Sequence, residues 1–243
     1  MSRGRLGRYS LWQFRDFALE RGIAILIIGL LSGYVLIDPL RRTMGPAFSI
    51  TQDSPVWPLV ITVASSIVSL SILIALNGIV SNERKMGYYR FLFAKPVSVV
   101  VYYSQLFVVY LIGVIAAMLI LSAIMHAIVP DFSIVNFLFY SAVVYVAMGG
   151  IGFFLSVATR YDWVTLAAVW LGSRALRDLY GARPGLPGKL VQVLPPVHRL
   201  NDVAHDMITH GSASATDVIW LVGYGAAFFV LGLLLLRHGP LAD

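Results

Sequence analysis

Five side chains near the C-terminal end of the chain are of the types that hold a divalent cation. In HRLNDVAHDMITH, residues 198–210, the side chains of His198, Asp202, His205, Asp206 and His210 fall toward one side of a helix. Imidazoles and carboxylates at i and i+4 stand one above the other on a helix, a spacing that binds zinc or a related ion. Such a site would make the chain an intramembrane or outer-face metal-dependent enzyme. The opposite stripe, Val197, Leu200, Val203, Ala204, Met207 and Ile208, is apolar. That division equally describes an amphipathic helix at a membrane surface. A polar face turned to water needs no metal, so the expectation is a bare amphipathic helix, with no metal or other cofactor bound by this chain.

A second polar group precedes it. Arg174, Arg177 and Asp178 continue the helical phase of an apolar run that begins at Trp163. An arginine at the bilayer centre costs roughly 2.5–3.5 kcal/mol, and less near the interface, so a partner is expected. Arg174 and Asp178 at i and i+4 form an internal ion pair; alternatively an arginine here meets an anionic substrate headgroup. GARPGLPGK, residues 181–189, then breaks the helix as a re-entrant turn requires. Residues 174–217 together read as a re-entrant and amphipathic outer segment. Other chemistry is missing from the sequence: no G-x-S-x-G, no H-E-x-x-H, no cysteine, and no carboxylate pair inside an apolar run. An ion-coupled secondary transporter therefore lacks its usual acidic relay, and no inverted repeat is visible.

The elements that must position these residues are membrane spans. The chain of 243 residues is 58% hydrophobic and 12% charged, against about 25% charged in soluble domains. It reads as one all-α, polytopic membrane domain, 1–243. Spanning takes roughly 20 apolar residues, and six runs qualify or nearly so: Gly22–Ile37, Val56–Val80, Val97–Val129, Ile134–Ala158, Trp163–Ser173 and Val218–Leu236. The fifth is short and must extend toward Tyr180 or turn back. Ahead of the first, residues 9–21 place Leu11, Phe14 and Ala18 on one stripe, as in a helix lying flat among lipid headgroups; an extension of the first span is the alternative. Gly29 and Gly33, spaced G-x-x-x-G, offer a seam for a second subunit or for packing inside the chain. With the N-terminus inside, the inner segments hold Arg3, Arg5, Arg8, Arg15, Arg21, Arg84, Lys85, Arg90, Lys95, Arg160 and Arg237. The outer ones hold Arg41, Arg42, Arg174, Arg177, Arg183, Lys189 and Arg199. The excess favours both termini in the cytoplasm. The net charge of +6 is thus what topology demands, and no nucleic-acid partner is expected.

Between the second and third runs lies SNERKMGYYRFLFAKPVS, residues 81–98, where aromatic rings alternate with Arg and Lys. A solvated loop has no use for so many rings. They suit anionic headgroups, or the groove of a cytosolic partner in which aromatic and Arg anchors carry most of the binding energy. Glu83, Arg84, Gly87, Leu92, Pro96, Val97 and Ser98 resemble the segment after the second span in permease subunits of ATP-binding cassette transporters of the type-two exporter superfamily. The family often has Glu where Lys85 stands and Thr where Tyr88 stands. The resemblance implies that 82–95 is a cytosolic coupling helix whose Glu83, Arg84, Met86, Tyr89, Arg90 and Phe93 contact a nucleotide-binding ATPase subunit. It also implies a second permease subunit, forming a homodimer in the plasma (cell inner) membrane. ATP and Mg would be bound by the partner, since this chain has no G-x-x-x-x-G-K-[ST]. The function so implied is that of an exporter's transmembrane subunit, not itself an enzyme.

Overall fold

The computed structural model describes residues 3–44, 50–80, 98–159, 167–168, 171–172, 175–176, 178–181, 185 and 197–238. Among these the chain is helical, with no strand. In chain order the helices are α1 (Arg3–Phe17), α2 (Ile23–Met44), α3 (Trp57–Leu76), α4 (Val99–Ile128), α5 (Ile134–Ala158), α6 (Val197–His205) and α7 (Ala215–His238). One π-helical turn, Ala18–Gly22, joins α1 to α2, and another, Asp206–His210, follows α6. Among the described residues five helical stretches are long and apolar enough to cross a membrane: Tyr9–Val35, Trp57–Leu76, Val99–Ile128, Ile134–Ala158 and Ala215–Arg237. They correspond to five of the six apolar runs; the run Trp163–Ser173 lies mostly outside the described residues, as does the whole of the expected coupling helix 82–95.

The buried serines inside the spans are satisfied locally. The hydroxyls of Ser65, Ser71, Ser122, Ser141 and Ser156 each donate to a carbonyl three or four residues back in their own helix. Lipid offers no alternative partner, so this is how serine is accommodated at membrane depth. Tyr145 spends its hydroxyl on the Phe107 carbonyl, 2.9 Å away on the neighbouring helix.

Residues 9–21, expected to lie flat as a separate interfacial helix, belong instead to a helix that runs unbroken from Arg3 to Met44. Phe17 and Ile23, on either side of the π turn, keep right-handed helical angles, and Ile23 N–H bonds to the Ala18 carbonyl. The long helix lies beside α4 and parallel to it. Tyr9 meets Tyr102, Phe17 meets Tyr110, Gly29 faces Leu121 and Gly33 faces Met125. Within α1 the apolar Leu11 and Trp12 are 71% and 57% exposed, as a lipid-facing stripe would be, whereas Gln13, to which the sequence assigned no side, is only 3% exposed. The reason is that Gln13 has a polar mate on α4, while Leu11 and Trp12 suit lipid.

The core sits on α3, α4 and α5, with α2 and α7 presenting much of their apolar surface outward. Among the described helices, α5 and α7 cross with their backbones in contact. A Cβ built on Gly150 would fall on the Gly225 carbonyl, and one built on Gly225 would fall on the Val146 carbonyl and 2.6 Å from Ala147 Cα. Only glycine lets two backbones meet so closely. Around this crossing Phe107, Phe153 and Phe229 pack ring on ring, at centroid separations of 4.4 Å for Phe107–Phe229 and 4.9 Å for Phe153–Phe229.

These contacts arrange the bundle into two ends. At one end are α1, the C-terminus of α3, the N-terminus of α4 and the C-terminal parts of α5 and α7, linked by Tyr103–Phe153 and Gly232–Phe153. At the other end are Trp57, the turn 129–133, α6 with its π turn, and the start of α7.

Gly150→Ala and Gly225→Leu are each expected to destabilise the bundle by about 1–3 kcal/mol, the usual cost of overpacking. Gly223→Ala, two residues away where nothing lies within 4 Å of the added carbon, is expected to be neutral. Thermal unfolding in detergent compares them directly; equal stability of all three variants would show that the α5–α7 crossing does not hold the bundle together.

Candidate functional site

Two groups of polar side chains stand at opposite ends of the bundle. The first is built on the π turn after α6. At roughly 100° per residue, an α-helix would set His205 and His210 about 140° apart. A π turn, closing five residues instead of four, brings them back to one side. His205 and His210 rings are accordingly 5.9 Å apart, edge to face, and with Asp206 they offer three ligand atoms within 4.8 Å of one another. His205 Nδ1 lies 3.9 Å from Asp206 Oδ1, with side chains 50% and 49% exposed. Asp202 is exposed and is not part of the trio. The backbone of His198 is helical, and its side chain lies outside the described residues.

The π turn is anchored on its inner side. Met207 and Ile208 are buried. Trp57 Nε1, at the start of α3, donates to Thr209 Oγ1 over 2.9 Å. Gly211 then takes left-handed angles, φ 71°, and returns its N–H to the Met207 carbonyl at 3.0 Å; that conformation favours glycine because it has no Cβ. A Cβ at Gly211 would also stand 3.3 Å from Asn136 Nδ2. Nearby, Arg199 pairs with Asp217 across the α6–α7 connection, and His126 Nδ1 bonds to the Phe132 carbonyl at 2.9 Å. His126 therefore closes the α4–α5 turn.

The second group surrounds the π turn between α1 and α2. Buried positions run Gln13, Phe17, Gly22, Ile25, Gly29, Gly33. The five-residue step from Phe17 to Gly22 is the π insertion, and it keeps both halves of the stripe against α4. It also puts Arg21 to one side. Arg21 Nη1 donates to the Ala75 carbonyl, and its guanidinium lies over the Tyr110 ring, 4.7 Å from the centroid. Ala75 belongs to the last turn of α3, where carbonyls lack intrahelical donors. Ile79 N–H, which would otherwise return there, bonds to Leu76 O. A cation at this terminus also complements the helix dipole, and a guanidinium over a tyrosine face adds a cation–π contact. Eight to eleven residues earlier, Gln105 Nε2 donates to Ser10 Oγ at 2.7 Å and to Gln13 Oε1 at 3.3 Å. Gln13 Nε2 and the Tyr140 hydroxyl are buried without a hydrogen-bond partner among the described residues.

Of the residues singled out from the sequence, Glu83, Arg84, Met86, Tyr89, Arg90 and Phe93 lie outside the described residues, as do Arg174 and Arg177. Asp178 is exposed on a helical stretch. Gly29 and Gly33 are buried against Leu121 and Met125 of the same chain. The roles of Arg21, Gln13 and Trp57 were not read from the sequence. An arginine immediately before the first apolar run was the available signal for Arg21. Nothing local marks the π turn that aims it. Against known proteins, the chain matches no family model, no curated protein and no solved structure.

Arg21→Ala should loosen the end of α3 by about 1.5–3 kcal/mol, the range for hydrogen bonds to a charged group. Hydrogen exchange across residues 76–80 is expected to accelerate while exchange in the middle of α3 stays unchanged; uniform protection would show that Arg21 holds nothing there.

Proposed function

We propose that this membrane-embedded, all-helical chain is the permease subunit of an ATP-driven exporter, with hydrolysis performed by a separate nucleotide-binding subunit. The reading rests on the segment 81–97 and on how its two attachment points are held. It leaves α3 through residues 77–80 and enters α4 at Ser98. The α3 end is tied by Arg21 at Ala75, and the start of α4 is tied to α1 through Tyr102 and Gln105. A partner gripping 81–97 would thus pull on α3, α4 and the long α1–α2 helix together. That linkage supports a coupling role better than a headgroup-binding role, which requires no stiff attachment.

In this reading Tyr89, Phe93 and Met86 fill a cleft in the ATPase subunit, and Glu83, Arg84 and Arg90 set the register. ATP and Mg stay on that subunit. The membrane is the plasma membrane, with both termini on the ATPase side, as the distribution of Lys and Arg favours. A second permease subunit completes the pathway. Leu121 and Met125 of the same chain already cover Gly29 and Gly33, so the subunits meet over another surface. The outward apolar residues of α2, such as Ile27, Leu31 and Tyr34, provide one.

Tyr89→Asp combined with Phe93→Asp is expected to leave membrane insertion intact and to abolish co-purification with a P-loop ATPase subunit. Undiminished co-purification refutes the docking role. The sidedness has its own test, made clean by the absence of native cysteine. In intact cells an impermeant maleimide should label Ser212→Cys and spare Arg90→Cys; the reverse pattern overturns the orientation and the exporter reading with it.

A further inference from the structure

We propose that His205, Asp206 and His210 bind one late first-row divalent cation, of the zinc type, at the end of the bundle away from segment 81–97. The inference is independent of the exporter reading, since it uses none of its residues. Its basis is the meeting of three ligand side chains through a backbone feature that an ordinary helix would not supply. The π turn places two imidazoles on one side with a carboxylate between them, and the three ligand atoms lie within 4.8 Å of one another. Zinc bonds of about 2.0–2.1 Å in tetrahedral geometry need ligand atoms roughly 3.3 Å apart. The remaining contraction is within reach of side-chain rotation, because His205 and Asp206 are half exposed and free to turn.

The backbone beneath them is held. Buried Met207 and Ile208, the Trp57–Thr209 hydrogen bond and the left-handed Gly211 pin the turn from the inside. Only the ligand side chains have to adjust, which limits the ordering cost of binding. The pair His205 Nδ1 and Asp206 Oδ1, at 3.9 Å, is too far apart for a hydrogen bond. It is close enough for a single ion to bridge. The donor set selects the ion: two neutral imidazoles and one carboxylate suit zinc and its neighbours. Calcium and magnesium prefer more oxygen ligands, and copper(I) prefers sulfur. With three protein ligands, water completes the coordination.

The site lies beside the α3–π-turn contact made by Trp57 and Thr209. A bound ion would therefore stiffen the π turn that Trp57 already holds from α3. Asp202, on the same helix but outside the trio, supplies an internal control.

The experiment is calorimetric titration of zinc ion into tag-free, chelator-stripped protein in detergent. One equivalent should bind saturably, and zinc should raise the unfolding temperature, as a ligand of the folded state must. His205→Ala and His210→Ala should each weaken binding by about tenfold or more. Asp206→Asn should weaken it less, and Asp202→Asn should leave it unchanged. A second measurement needs no variant: zinc should protect His205 and His210, but not His126, from an imidazole-modifying reagent, read peptide by peptide. Absence of saturable binding, undiminished binding in the double variant His205→Ala/His210→Ala, or equal modification with and without zinc overturns the proposal.

Discussion

Helices surrounded by lipid gain nothing from hiding apolar side chains from one another, because the surroundings are as apolar as they are. Close packing has to supply the cohesion, and in this chain it does so through notches. At Gly150 and Gly225 the notch admits another backbone. At Gly113 it admits the Phe17 ring, and at Gly29 the Leu121 side chain. Each notch sets the distance between two helix axes, and the aromatic cluster of Phe107, Phe153 and Phe229 fills what remains. The same constraint governs polar groups: serines bond to their own helices, and the glutamine cluster closes between α1 and α4.

Notches work only if they face the right way, and the two π turns adjust the facing. In the long N-terminal helix, one inserted residue keeps Gln13 and Phe17 in line with Gly22, Ile25 and Gly29 along α4. It also frees Arg21 to reach the last turn of α3. After α6, the same device gathers His205, Asp206 and His210. A π turn gives up some of the regular hydrogen-bond ladder, and it is retained where the new direction of a side chain is useful. Both turns lie next to contacts between helices distant in sequence: Arg21 with Ala75, and Thr209 with Trp57. The neighbours hold each turn in its shape.

The two polar groups therefore sit at the ends of a packed shaft. One end holds the attachment points of segment 81–97 and the cation that braces them. The other holds the trio on the π turn, the Arg199–Asp217 pair and the His126–Phe132 bond. Between them the described spans carry no ion pair; bonds from side chains to backbone do the work, as low polarity demands.

The hydropathy of the chain by itself determined that it is helical and membrane-spanning. Runs of apolar residues long enough to cross lipid can satisfy their backbone only as helices or closed barrels, and these runs lack the alternation a barrel needs. The limits of the spans from Trp57 to Ala158 were legible for the same reason, as was the amphipathic character of α6. What only the tertiary structure decided was phase. Nothing in residues 9–21 marked Gln13 as buried, whereas Gln105 on α4 draws it in. Reading 198–210 at a constant 3.6 residues per turn grouped Asp202 with His205, Asp206 and His210, whereas the structure leaves Asp202 outside that trio. A π turn has no residue signature of its own. It forms where packing partners far along the chain stabilise one orientation more than the regular ladder does, so the information for it resides in Tyr110, Ala75, Trp57 and Asn136, not in the residues that make the turn.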